Sequence, residues 1–119
     1  MSLETVAKKF CELCSQGKNF DVMKTMYSPN IVSVEADGKQ TSGKDPVIKK
    51  SEAWGATNKV NAEKVRGPFP SGKNQFAVHF MFDVMRKGSD KPITLEEIAL
   101  YTVENDQITR EQFFYEGEH

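Results

Sequence analysis

Histidine and cysteine are scarce in this chain of 119 residues, with two of each. The histidines are His79 and His119, and the cysteines are confined to Cys11-Glu12-Leu13-Cys14. That spacing can hold a redox dithiol or half of a zinc site, but no second ligand pair accompanies it and no strand precedes it. Two buried thiols on one helix face are the expectation. A glycine-rich phosphate loop after a strand is missing, so no nucleotide, flavin or metal motif is present and no cofactor is expected. Neither sign of charge dominates: 16 basic against 17 acidic residues leave a formal charge of -1. Such a balance offers no field to draw in phosphate backbones or anionic lipid, which excludes nucleic acid and membrane surfaces as expected partners. Long apolar runs are absent too. The segment MSLETVAKKFCELC lacks the uninterrupted core of a signal peptide, and no stretch approaches the roughly 20 apolar residues that span a bilayer. A cytoplasmic protein is expected.

What is present is an ordinary globular composition, 38% hydrophobic and 28% charged, at the usual length of one domain covering residues 1–119. Leu3, Val6, Ala7, Phe10, Leu13 and Cys14 recur at three- and four-residue steps, the period of an amphipathic helix that Gly17 ends. Asn19 can cap a second helix burying Phe20, Met23 and Tyr27, with Pro29 as its stop. The strand IVSVE follows, and ends on Glu35. Asp45-Pro46 looks like the start of a third helix carrying Val47, Ser51 and Trp54 on one side. The lysines from Lys44 to Lys50 read as its solvated side.

From Asn58 onward the helical period gives way to strands. NKVNAEKV is the weakest, because its apolar phase slips between Ala62 and Val65, and GPFPSGKN reads as a connection. Phe76 to Met85 is the clearest, with Phe76, Val78, Phe80, Phe82 and Val84 on one face. Ile93 to Val103 alternates likewise, and Glu104-Asn105-Asp106-Gln107 forms a short hairpin turn. An unbroken register would set Tyr101 opposite Arg110, Ala99 opposite Gln112 and Glu97 opposite Phe114, all facing the helices. The other face would then carry His79, Met81, Ile98, Leu100, Phe113 and Tyr115. A one-residue bulge would instead turn Glu111, Phe113 and Tyr115 inward; the unbroken register is the one adopted.

This element order predicts an α+β fold, with three N-terminal helices packed in the concave face of a curved, mostly antiparallel sheet. The order, together with FCELCSQGKNFDVMKTMYSPNIVSVEADG, SGKDPVIKKSEAW and IALYTVENDQITREQFFY, resembles the nuclear-transport-factor-2-like superfamily and, within it, the SnoaL-like group. The resemblance covers nearly the whole chain and implies a cone-shaped α+β barrel with an apolar cavity open at one end. It also implies a small hydrophobic ligand and a homodimer through the outer sheet face, the stripe of His79, Met81, Ile98, Leu100, Phe113 and Tyr115. In the ketosteroid isomerases of that superfamily a general-base aspartate ends the first strand, and Glu35 is the matching position. Their oxyanion donors, a tyrosine and a protonated acid, fall here on Phe10 and Ala99, which cannot donate.

Glu35 is therefore the candidate catalytic residue, although Val32 and Val34 form the natural inward pair on that strand and would leave it facing water. Trp54, Phe80, Phe82, Glu97, Tyr101, Arg110, Gln112 and Phe114 are the candidate ligand-binding residues. A carboxylate in such surroundings is expected to hold its proton near neutral pH. Tyr101 and Gln112 would orient ligand oxygens and Arg110 would neutralise negative charge. Glu97 and Arg110 could equally be an ion pair ordering the hairpin, Tyr101 and Trp54 core anchors, and His79 a dimer contact. Two functions fit: acid/base chemistry on a small hydrophobic molecule (isomerase, cyclase, dehydratase or hydrolase type), or a non-catalytic binding or dimerisation module.

Overall fold

The computed structural model describes residues 2–117 and 119. Among them are three helices and six strands: α1 (Leu3–Ser15), α2 (Asn19–Met26), β1 (Tyr27–Val34), β2 (Gln40–Ser42), α3 (Lys44–Thr57), β3 (Asn58–Ser71), β4 (Gln75–Arg86), β5 (Pro92–Glu104) and β6 (Gln107–Phe114). The strands form one curved sheet in the order β2-β1-β6-β5-β4-β3. Neighbours run antiparallel except β1 and β6, which are parallel. Among the described residues no helix is long and apolar enough to cross a membrane.

The expected apolar stripe holds α1 to the sheet. Val6, Ala7, Phe10, Cys11 and Cys14 are buried, and the Phe10 ring meets Tyr101 at 4.4 Å and Phe76 at 5.4 Å. The helix stops where Gly17 takes a φ of +75°, which returns the Lys18 amide to the Leu13 carbonyl at 2.9 Å. Burial pushes the Cys11 thiol up to about 11 and the Cys14 thiol further still, the state of inert packed cysteines rather than reactive ones.

Several boundaries differ from expectation, each for a local reason. Helix α2 ends at Met26, so Tyr27 opens a strand instead of closing a helix. Pro29 then lies inside β1, where the pairing with β6 skips from Tyr27 to Val32 and no ladder amide is needed. Asn19 does not cap α2; its Nδ2 donates to Glu63 Oε2 at 3.0 Å. Helix α3 begins at Lys44, after Gly43 at φ +97°, and Asp45 and Pro46 fall in its first turn. The phase slip in NKVNAEKV marks a bulge between Val60 and Ala62, and β3 runs on through Gly67, Phe69 and Pro70 to Ser71 across a second irregularity. That stretch is strand, not connection.

The hairpin register is the correction that matters most. Asn105 and Asp106, at φ 51° and 62°, make the two-residue turn. Val103 still faces Ile108, but Thr102 faces Arg110, so Thr109 is an extra residue on β6. Its hydroxyl donates to the Thr102 carbonyl at 3.4 Å. Beyond it Tyr101 faces Glu111, Ala99 faces Phe113 and Ile98 faces Phe114. The inward set is Glu111, Phe113 and Tyr115, while Arg110, Gln112 and Phe114 belong to the outer face.

Candidate functional site

A cavity of about 680 Å³ lies between the helices and the concave face of the sheet. Trp54 of α3, Phe80 and Phe82 of β4, Tyr101 of β5 and Phe113 of β6 contribute its aromatic surface. Glu35, Glu63, Glu97 and Glu111 also reach it, and among the described residues lining it Lys50 is the only lysine or arginine.

Glu35 is placed by β1 and the turn after it. Ile31 and Ser33 are fully buried, so alternation along β1 carries Glu35 to the same side. The turn returns the Gly38 amide to the Glu35 carbonyl and the Glu35 amide to the Lys39 carbonyl, each at 2.9 Å. The inward pair is thus Ile31 and Ser33, not Val32 and Val34, and Glu35 faces the cavity. Lys50 reaches it from α3, with Nζ 2.6 Å from Glu35 Oε1 and 2.7 Å from Ser33 Oγ. Tyr115 donates to Glu35 Oε2 at 3.2 Å. The side chain therefore works as an ion-paired carboxylate with one partner on each oxygen, and each oxygen keeps a further lone pair.

Ser33 also bonds Glu111, which is 3% exposed and accepts a hydrogen bond from the Tyr27 hydroxyl. A continuous polar chain thus links Tyr27, Glu111, Ser33, Lys50, Glu35 and Tyr115. Burial holds the Glu111 carboxyl above the ordinary range, opposed by its bonds to Tyr27 and Ser33 and by Lys50. Burial likewise keeps the Tyr27 and Tyr101 hydroxyls protonated.

Glu97 has a different setting. Desolvation first, and then the charges of Glu111, Glu35 and Glu63, push its carboxyl from 4.5 up to about 8, with Lys50 acting in the opposite direction. The His119 Nε2 lies 3.6 Å from Glu97 Oε2, and its ring stacks on Tyr115 at 3.7 Å. Near neutral pH Glu97 is therefore a neutral acid able to donate a hydrogen bond.

Of the residues singled out from sequence, the fold brings Glu35, Trp54, Phe80, Phe82, Glu97 and Tyr101 together at the cavity. Arg110, Gln112 and Phe114 are not among them, because the Thr109 bulge turns them away. The same bulge removes Phe113 and Tyr115 from the outer stripe and places them in the cavity wall. The Glu97 to Arg110 ion pair does not form, and the cation expected from β6 comes from α3 as Lys50. Lys50 was legible in principle: with Val47 and Trp54 it keeps the three- and four-residue spacing of the buried side. Among the described residues no group of three or more His, Cys, Asp or Glu side chains is arranged to hold a metal ion.

The proton on Glu97 has a consequence for stability. The folded state binds that proton more tightly than the unfolded chain does, so Glu97 ceases to favour the native state as pH rises from about 4.5 through about 8. Glu63 and Glu111, also raised by burial, act with the same sign. The melting temperature of the wild type is expected to fall between pH 5 and pH 8, and that of Glu97→Gln, which cannot ionise, to fall less. Equal slopes in thermal melts of the two proteins would contradict the assignment.

Comparison with known proteins agrees with this fold. No curated protein matches the chain. A solved structure from Mesorhizobium loti, described provisionally as a SnoaL-like polyketide cyclase and also as a carbohydrate phosphatase, is 36% identical over 97% of this chain and 100% of its own, with a TM-score of 0.90. A nuclear-transport-factor-2-like protein of unknown function from Burkholderia pseudomallei shares the fold at 14% identity and TM-score 0.79, over 98% of this chain and 92% of its own. A protein from Catenulispora acidiphila with a ketosteroid-isomerase-like fold, solved with trimethylamine, does so at 16% and 0.73, over 95% and 84%. The family model for the SnoaL-like domain matches residues 1–115, and the chain belongs to the SnoaL-like domain family.

Proposed function

We propose that this SnoaL-like protein is an acid/base catalyst that enolises a small, mainly apolar carbonyl compound, using its own side chains. The observation that carries the reading is the pairing, in one cavity, of an ion-paired carboxylate, Glu35, with a desolvated neutral acid, Glu97. Two carboxyl groups held in opposite states by their surroundings are what a proton acceptor and a proton donor require. Glu35 takes a proton from the carbon beside the carbonyl. Glu97 donates to the carbonyl oxygen as negative charge develops there, and Lys50 keeps Glu35 in register. The provisional description of the Mesorhizobium relative as a polyketide cyclase fits a carbonyl-bearing ligand. A phosphate ester fits less well, because four carboxyl groups share the cavity with one ammonium.

A second copy of the chain is the proposed partner. On the outer face Ile98 and Phe114 are paired across β5 and β6 and each is 48% exposed, with His79 beside Ile98 on β4. With Met81 and Leu100 they form an apolar stripe that self-association would bury.

Exchange of the α-hydrogens of 2-tetralone for deuterium, followed by NMR, tests the chemistry without knowledge of the natural substrate. The wild type is expected to exceed the buffer rate and to lose activity as pH rises through about 8, where Glu97 gives up its proton. Glu35→Gln should lower the rate by about 10² to 10⁴ and Glu97→Gln by about 10² to 10³. Exchange no faster than buffer, or unaffected by either substitution, would contradict the reading. For the partner, light scattering should give a dimer for the wild type and a monomer for Ile98→Glu; a monomeric wild type would remove the proposal.

A further inference from the structure

Glu111 is the buried acid that the proposed reaction leaves unused. It lies two residues after the Thr109 bulge on β6, paired with Tyr101 of β5 on one side and Ser33 of β1 on the other. At 3% exposed it has little contact with water, and its carboxyl is bonded to the Tyr27 and Ser33 hydroxyls. The direction of these bonds follows from the donors. An ammonium can only donate, so Ser33 Oγ accepts from Lys50 at 2.7 Å and has one proton left, which goes to Glu111. The titratable groups whose charges act between Glu111 and its surroundings are Cys14 on α1, Tyr27 at the start of β1, Glu35 just past its end, Lys50 on α3, and Glu97 and Tyr101 on β5. Lys50 is the one cation among them, and Ser33 is the bonded link to it.

Ser33 and Glu35 stand two residues apart on one side of the chain, so a single ammonium reaches both. Lys50 Nζ is 2.6 Å from Glu35 Oε1 and is held at the same time by Ser33. Ser33 is fully buried and cannot turn to water, so its bond to Glu111 keeps its lone pairs available to Lys50. Without that hold the ammonium would be free to move across both oxygens of Glu35. With it, Oε2 has the neutral Tyr115 hydroxyl as its partner, at 3.2 Å. We propose that Glu111 is a positioning residue for the reaction: through Ser33 it holds Lys50 at Oε1 of Glu35 and leaves Oε2 to take the proton from the ligand carbon. The proposal rests on the reading of Glu35 as the proton acceptor and adds the group that decides which of its oxygens accepts. A protonated Glu111 needs an acceptor for its own proton, and the Ser33 and Tyr27 oxygens are its bonded neighbours, so protonation of Glu111 loosens the hold on Lys50.

Two measurements test it. In deuterium exchange of 2-tetralone, Glu111→Gln is expected to lower kcat about 10-fold and to leave KM within about twofold, because the ligand keeps its own contacts. An unchanged kcat overturns the proposal, and so does a fall in kcat matched by a several-fold rise in KM, which marks a distorted cavity. If Glu111→Gln does not fold, Ser33→Ala, which removes the link and leaves Glu111 in place, is held to the same outcomes. The second measurement needs no ligand. In the wild type the ¹⁵Nζ resonance of Lys50 should move with pH at the midpoint of the Glu111 carboxyl carbon, and in Ser33→Ala that movement should be largely lost. A Lys50 resonance that ignores Glu111, or follows it equally well without the Ser33 hydroxyl, overturns the proposal. This titration is read without turnover. Failure of exchange in the wild type would therefore count against the acid/base reading, and failure of the Lys50 response against Glu111 alone.

Discussion

Because side chains alternate along a strand, the single extra residue at Thr109 decides which half of β6 meets the cavity. Ile108, before it, packs in the core as an unbroken hairpin would require. After it the order reverses, and a carboxylic acid, a phenyl ring and a phenol enter in place of a guanidinium, an amide and a phenyl ring. The polar contacts that β6 makes in the cavity follow from that exchange. Glu111 meets Tyr27 and Ser33, Tyr115 meets Glu35, and no arginine arrives to neutralise them.

The cavity therefore holds more acid than base, and the low dielectric of an aromatic enclosure sorts the acids by their partners. Glu35 has Lys50 within 2.6 Å and carries its charge against it. Glu97 has three other carboxyl groups as neighbours and keeps its proton. The ketosteroid-isomerase donors are absent from Phe10 and Ala99, as the sequence implies, but a donor is present two residues before Ala99 on the same face of β5. In the proposed reaction Glu97 takes the part that an acid at Ala99 would have played, from one step further along the strand.

The helices and long strands could be read from sequence because each has one clear apolar face: the α1 stripe and the Phe76 to Val84 alternation leave few choices. The family resemblance correctly turned Glu35 inward, against the local pattern of Val32 and Val34. The bulge was harder, because both phases of β6 place an aromatic residue and polar groups on either face, so hydrophobic pattern does not choose between them. Lys50 was hidden by its neighbours Lys44 and Lys49, which make the segment read as solvated. Tyr27 was hidden by Pro29, a helix stop that here sits in a gap of the β1 ladder.

The central claim is that the cavity keeps Glu97 neutral beside a Glu35 that is paired with Lys50. A carbon-detected NMR titration of the glutamate carboxyl groups, with Glu97→Gln for assignment, tests it directly. The account predicts that the Glu97 carboxyl titrates at about 8, far above the ordinary 4.5. A Glu97 midpoint at the ordinary value would mean a wet cavity and an ionised side chain, and would contradict the assignment of Glu97 as the acid.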